Sequence, residues 1–212
     1  KLKTIWITGG SSGIGKATAK TFLDNNWRVI ISSSNNIKLE NAKKNISKMS
    51  SNKEIYAIKC DITNKDNVKR TINTIENEIS PIDLALLNAA AYSPNKSQEF
   101  EIENYELLVK VNLMGTLYCI NELKKNMGKR DSSHIAIVSS PIGYRGWPTA
   151  GAYGMTKAAQ INLAESLYFD LKKSKIKISI INPGFIDTES TRLNSFKMPF
   201  LKSSEYAAKK FL

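Results

Sequence analysis

The stretch Thr4-Ile5-Trp6-Ile7-Thr8-Gly9-Gly10-Ser11-Ser12-Gly13-Ile14-Gly15-Lys16-Ala17 constrains the fold more than any other part of this chain. β-formers run up to Thr8, and Ala17, Ala19, Phe22 and Leu23 then recur at helical spacing, so a strand feeds a helix across a glycine turn. Gly9 permits the sharp turn out of the strand, Gly13 lets backbone approach a ligand, and Gly15 lets the helix pack closely on the sheet. The helix start offers unpaired N–H groups and the positive end of its dipole, which suits the pyrophosphate of a dinucleotide. The spacing Gly-x-x-x-Gly-x-Gly differs from the common Gly-x-Gly-x-x-Gly, and the bland alternative is a tight turn that merely tolerates glycine. A strand and a helix on the expected sides argue for the phosphate site.

Downstream the chain keeps alternating. Strands are predicted at 27–32, 54–60, 83–88, 135–140 and 177–182, and helices at 36–49, 65–79, 102–127 and 152–173, with Pro81 marking one exit. The run 83–88 is apolar on both faces, as a central parallel strand must be. Such alternation predicts an α/β fold: a doubly wound parallel β-sheet of Rossmann type, with right-handed crossovers, as a single domain over residues 1–212. Ligands of such sheets bind at the carboxyl ends of the strands, and every polar motif below falls at such an end or on the helix after it.

The length of 212 residues suits one full-sized core, and 42% hydrophobic content is ordinary for a globular protein. Lys1-Leu2-Lys3 runs straight into the first strand, and no run of eighteen apolar residues occurs. A cytoplasmic protein without a stable membrane span is therefore expected. Cys60 and Cys119 lie far apart in sequence and outside any metal spacing, so reduced core thiols and no metal site are expected. Lysine and arginine number 31 against 19 acids, a net charge of +12. The excess does not signal nucleic acid: Lys38, Lys43, Lys44, Lys48, Lys172, Lys173, Lys175 and Lys177 are scattered among asparagines and isoleucines, without aromatic interleaving. A solvated lysine-rich surface that also attracts anionic cofactors accounts for it.

The end of the second strand bears on which dinucleotide is bound. An acid there accepts from the ribose hydroxyls in NAD-preferring sites, whereas this chain has Ser32-Ser33-Ser34-Asn35, with Lys16 just past the third glycine. A 2′-phosphate is repelled by an acid and welcomed by a lysine with serine hydroxyls, which favours NADP(H) over NAD(H). Charge-assisted contacts of about 1.5–3 kcal/mol give roughly a tenfold to hundredfold preference. Asp61, after the third strand, is placed to reach an adenine or, alternatively, to cap the next helix. Asn88-Ala89-Ala90-Ala91 leaves room for a cofactor across the sheet edge. Tyr153 and Lys157 then share a helix face, and a nearby cation stabilises phenolate, lowering a tyrosine pKa from about 10 so that it can act as acid and base. Ser140 lies thirteen positions before Tyr153 at the tip of the preceding strand, and that spacing selects it over Ser139.

With these residues in order over nearly the whole chain, the sequence resembles the short-chain dehydrogenase/reductase family. The matching elements are Thr8 to Gly15, Asp61, Asn88-Ala89-Ala90, Asn112, Ser140, Tyr153, Lys157 and Asn182-Pro183-Gly184 with Thr188. The resemblance implies that Tyr153 protonates a substrate oxygen as hydride arrives from a nicotinamide. It implies that Lys157 lowers the Tyr153 pKa and holds the nicotinamide ribose, that Ser140 hydrogen-bonds the reacting oxygen, and that Asn112 holds a water linking Lys157 to solvent. Cofactor contacts are then expected from Gly9, Ser11, Ser12, Gly13, Ile14, Gly15, Lys16, Ser33, Ser34, Asp61, Ile62, Asn88, Ala89, Ala90, Tyr153, Lys157, Pro183, Gly184, Ile186 and Thr188.

Two departures accompany the resemblance. Ala90 replaces the family's glycine, and the chain ends in a predicted helix at 206–212 where the family continues into a last strand. The helices carrying Asn112 and Tyr153 correspond to those that pair subunits, so a homodimer or homotetramer is expected. Substrate walls are expected from Tyr92-Ser93-Pro94, from the residues after Ser140 and from a lid at 185–202, supplying Tyr144, Trp147, Phe185, Leu193, Phe196, Met198 and Phe200. These suggest an apolar substrate, a lipid-like ketone or a β-keto acyl derivative, with some similarity to 3-ketosphinganine-reductase-like members, while Arg145, Arg192 and Lys197 suit an anionic head group. His134 starts a strand at the end away from the chemistry and is expected to be structural. The reaction implied is reversible, NADP(H)-dependent reduction of a carbonyl to a secondary alcohol. A non-catalytic dinucleotide-binding regulator of the same fold is the alternative.

Overall fold

Strand β1 (Thr4–Thr8) is buried along its whole length, and the sheet grows from it in both directions. The structure, a computed structural model, describes residues 2–94, 100–130 and 132–212. Strands β2 (Arg28–Ser33), β3 (Ile55–Lys59), β4 (Leu84–Leu87), β5 (Ser133–Val138) and β6 (Ile176–Ile181) join β1 in the order β3-β2-β1-β4-β5-β6. All neighbours are parallel, with Trp6 opposite both Ile30 and Ala85 and with Leu87 opposite Ile137. This is the expected doubly wound sheet. After β3 the chain crosses β1 to build the other half, so the switch point lies between β1 and β4.

Side chains alternate across the sheet, which sends Ile5 and Ile7 into one layer and Trp6 into the other. Helices α1 (Gly13–Asp24) and α2 (Asn36–Met49) bring Phe22, Leu23, Leu39 and Ile46 to the isoleucine layer. On the opposite face lie α3 (Lys65–Thr74), α4 (Ile102–Leu108), α5 (Gly115–Met127) and α6 (Gly151–Asp170). From these, Val68, Ile72, Leu123, Met127 and Ala164 pack in the Trp6 layer. Each leucine or isoleucine buried in this way contributes about 1.5–3 kcal/mol. A last helix, α7 (Ser204–Lys209), packs on α1.

Helix boundaries follow local chemistry. Asn35 Oδ1 accepts from Lys38 N to start α2, and Asn64 Oδ1 accepts from Asp66 N and Asn67 N to start α3. The helix predicted over 65–79 widens into π-helix at Ile75–Ile79, and the one predicted over 102–127 does so at Val109–Met114, between α4 and α5. The second of these holds Asn112. His134 pairs its Nε2 with Ser179 Oγ at 2.8 Å, joining β5 to β6. Cys60 and Cys119 are free and buried in the Trp6 layer. Among the described residues no acid, cysteine and histidine cluster suits a metal, and no helix is long and apolar enough to cross a membrane.

Candidate active site

A cavity of about 1560 Å³ opens where the carboxyl ends of β1 and β4 part. Gly9 leaves β1 with a φ of +65°, and a Cβ on it would lie 2.8 Å from Ala89 Cα. Gly13 has a φ of +49°, while a Cβ on Gly15 would lie 2.3 Å from Gly9 O and 2.7 Å from Asn88 Nδ2. Asn88 ties this turn to β4: its Nδ2 donates to Thr8 O at 3.1 Å and to Gly9 O at 3.3 Å. The Asn88 and Ala89 amides both donate to Thr8 Oγ1 at 3.0 Å. Ser12 makes no side-chain cap, and no acid sits in the first turn of α1. The leading N–H groups therefore remain available to an anion beside Ser11, Ser12, Gly13 and Ile14, all on the cavity wall. Residues present thus fit the pyrophosphate of a dinucleotide.

Ser33 and Ser34, Asp61 and Ile62, and Asn88, Ala89 and Ala90 line the same cavity from the ends of β2, β3 and β4. Ser11 Oγ donates to Ser33 Oγ at 3.1 Å. Asp61 does not cap α3; its Oδ1 accepts from Thr63 N at 2.9 Å and Thr63 Oγ1 at 2.8 Å. Ala90 is not among the residues with positive φ, so alanine costs no backbone strain there. Gly15 lies against the turn's own carbonyl, and Lys16 sits one position deeper into α1 with its amide bonded to Ser12 O; neither lines the cavity.

Across the cavity, α6 carries Tyr153 and Lys157 one turn apart, and both line it together with Ser140. Ser139 is buried and donates to Lys157 O at 2.9 Å, and it lines the cavity beside Ser140. Lys157, 2% exposed, donates from Nζ to Val138 O at 2.9 Å and to Gln160 Oε1 at 3.0 Å. Its Nζ is 5.4 Å from the Tyr153 ring centroid. The Tyr153 ring meets Tyr92 edge-on, with centroids 4.9 Å apart. Asn112 is fully buried and off the wall. Its Oδ1 accepts from Ala91 N at 2.7 Å, and its Nδ2 donates to Ala91 O and Thr156 Oγ1.

The sequence profile described as short chain dehydrogenase matches residues 3–198. The chain belongs to the short-chain dehydrogenase family. It is an oxidoreductase of that family, similar to uncharacterised oxidoreductases of Staphylococcus aureus and Staphylococcus epidermidis. The first is 27% identical over 185 residues, 87% of this chain and 78% of the relative. The second is 27% identical over 196 residues, 92% and 83% respectively. Among solved structures, ElxO with NADP bound superposes with a TM-score of 0.90 at 28% identity, covering 100% of this chain and 90% of ElxO.

In this dehydrogenase burial dominates the electrostatics of Tyr153 and Lys157. Burial, then the neighbouring Tyr92, pushes Tyr153 up, and burial alone brings Lys157 down to about 7. Away from water the desolvation of each charged form outweighs attraction between them, and Lys157 spends its hydrogen bonds on Val138 and Gln160. The unfolded chain keeps the lysine proton to about 10.5 while the folded one releases it near 7, so stability contributed by this residue rises with pH between those values. Comparing denaturant midpoints of the wild type and Lys157→Met from pH 7 to 9.5, without cofactor, the wild type gains on the order of 1.4 kcal/mol per pH unit on the variant. Parallel curves would show that Lys157 keeps its ordinary pKa.

The Gln160 carboxamide joins Asn112 to Lys157: its Nε2 donates to Asn112 O at 2.7 Å. Segment 185–202 covers the outer wall, fastened by an Ile186–Lys202 bridge, by Tyr92 OH on Asn194 Oδ1 and by a Phe185–Phe196 edge contact at 5.9 Å. Pro183, Gly184, Ile186 and Thr188 line the cavity, with Thr188 against Gly13. Trp147, Phe185, Phe196 and Phe200 line it as expected, whereas Tyr144, Leu193 and Met198 do not. Of the basic residues, Arg145 and Lys197 line it; Arg192 lies outside, paired with Asp187 at 2.8 Å. Sequence reasoning missed Tyr92 as the partner of Tyr153, and Gln160. A polar amide three positions after Lys157, on the same helix face, was the available signal for the latter.

Proposed function

We propose that this short-chain dehydrogenase reversibly reduces a carbonyl group on an apolar substrate to a secondary alcohol with NADPH. The observation that carries this is the convergence of Ser140, Tyr153 and Lys157 on a cavity that runs to the uncapped glycine turn. In this assignment the turn from Gly9 to Ile14 holds the pyrophosphate, Ser33 and Ser34 the 2′-phosphate, and Asp61 and Ile62 the adenine. Asn88, Ala89 and Ala90 form the edge it crosses, and Lys157, Pro183, Gly184, Ile186 and Thr188 hold the nicotinamide half. The bound cofactor supplies hydride to the carbonyl carbon.

The chain's own residues manage the proton. Burial keeps Tyr153 as the phenol, the loaded form that reduction needs. It passes that proton to the carbonyl oxygen while Ser140 hydrogen-bonds the same atom, and the Lys157 ammonium offsets the charge of the phenolate left behind. Trp147, Phe185 and Phe196 give the substrate end an apolar lining, with segment 185–202 as its lid. ElxO, solved with NADP and as a tyrosine-to-phenylalanine variant with NADPH, supports a phosphorylated dinucleotide. The preference rests on hydroxyls and the lack of an acid at the end of β2, since Lys16 is off the wall. Calorimetric titration is expected to show NADPH binding at least about tenfold tighter than NADH. Equal affinities would remove the NADP assignment and leave the carbonyl chemistry; a panel of apolar ketones showing no turnover with bound NADPH would remove the substrate class.

A further inference from the structure

Gln160 is 1% exposed, on the face of α6 that meets the π-helical stretch between α4 and α5. A carboxamide placed so deep is costly unless each of its groups is paired, and here each is. Its Oε1 accepts from Lys157 Nζ at 3.0 Å, while its Nε2 donates to Asn112 O at 2.7 Å and to Thr116 Oγ1 at 3.1 Å. Thr116 Oγ1 itself donates to Asn112 O at 2.7 Å, so the acceptor that orients Gln160 is held from two sides. The amide end therefore cannot swap with the carbonyl end without setting a donor against the lysine.

We infer that Gln160 is a positioning residue of this site, whose carboxamide holds the Lys157 amine in the cavity wall and favours its charged form. The inference rests on the assignment of Lys157 to the reaction only for its catalytic consequence; the contact itself does not need it. The groups around the lysine leave this role to an uncharged partner. Tyr153 faces it from its own helix, Tyr92 backs Tyr153 from the loop after β4, Val138 O comes from β5 and Asn112 from the π-helical stretch. Among the described residues Lys157 forms no ion pair. One acceptor on a buried ammonium favours its charged form, and a carboxylate in its place favours that form further.

The test is the titration of Lys157 in cofactor-free protein, followed by NMR with 13C-labelled lysine, the resonance being assigned by its loss in Lys157→Met. Gln160→Met removes the acceptor and is expected to lower the Lys157 midpoint by about one to two pH units. Gln160→Glu keeps an acceptor and adds charge, and is expected to raise it by at least about one unit. Gln160→Glu reads whether position 160 reaches the lysine, and loss of the acceptor decides the role, read in Gln160→Leu if the methionine variant does not fold. Midpoints left in place, or moved the same way in both variants, overturn the inference. The pH profile of kcat for ketone reduction separates the two claims. Shifted titrations with an unmoved profile uphold Gln160 as the holder of Lys157 and overturn the assignment of Lys157 to the reaction.

Discussion

Tyr153→Phe is expected to lower kcat for ketone reduction by at least about a hundredfold, within the range that a positioned general acid contributes, while NADPH still binds. The substitution removes one oxygen from a ring whose edge contact with Tyr92 depends on the ring itself. Packing and folding should therefore survive, and the loss should appear in turnover. Burial raises the Tyr153 pKa, so the wild-type group is a phenol over the whole neutral range, and reduction should not fall off on its account as pH rises towards 9. Oxidation of the alcohol needs the phenolate and should gain with rising pH instead. Stopped-time assays of reduced nicotinamide in both directions, beside calorimetry of NADPH binding, check this. Unchanged turnover in the variant would end the role of Tyr153 as the proton donor.

Gly15→Ala is expected to be the most damaging single-methyl change in the chain. The added Cβ would fall 2.3 Å from Gly9 O, a backbone atom, and 2.7 Å from Asn88 Nδ2, which also fastens the turn to β4. Relief requires α1 to back away from the sheet or the turn to move, and overpacking of this kind costs about 1–3 kcal/mol or more. For a chain of this size each kcal/mol corresponds to about 2–4 °C in Tm. Because the same movement displaces the leading amides of α1, NADPH affinity should fall at least about tenfold, a loss near 1.4 kcal/mol. Gly146→Ala is the control: its Cβ meets nothing within 4 Å, and its stability should stay within about 0.5 kcal/mol of wild type. Equal Tm and affinity for Gly15→Ala and wild type would show that the turn is not as closely packed as described.

Much of this was legible in the residues because it is local. The strand, glycine turn and start of α1 lie within fourteen consecutive positions, and each is specified by its own neighbours: β-formers, then Gly9 with positive φ, then helical spacing. α2 spans Asn36–Met49 as predicted, since Asn35 caps it from the adjacent residue. The one-turn relation of Tyr153 to Lys157 follows from the period of a helix, while the thirteen-residue spacing from Tyr153 selects Ser140 over Ser139, and both serines line the cavity. The π-helical widenings were not legible; in the second, Asn112 O accepts from Thr116 Oγ1 and Gln160 Nε2, contacts that depend on the folded neighbourhood.

The chain's local pattern, then, decided its family fold, its glycine turn and the placing of Ser140, Tyr153 and Lys157 at the cavity. Only the folded molecule decided how those residues are charged and held. Lys157 and Tyr153 have shifted pKa values because the surrounding layers exclude water from both, which no spacing records. Lys157 turns to Gln160 and Val138, Tyr92 reaches Tyr153 from the loop after β4, and Arg192 pairs with Asp187 outside the cavity. Burial and competition for hydrogen bonds depend on everything packed around a group, whereas helix and strand periods depend only on its neighbours in sequence.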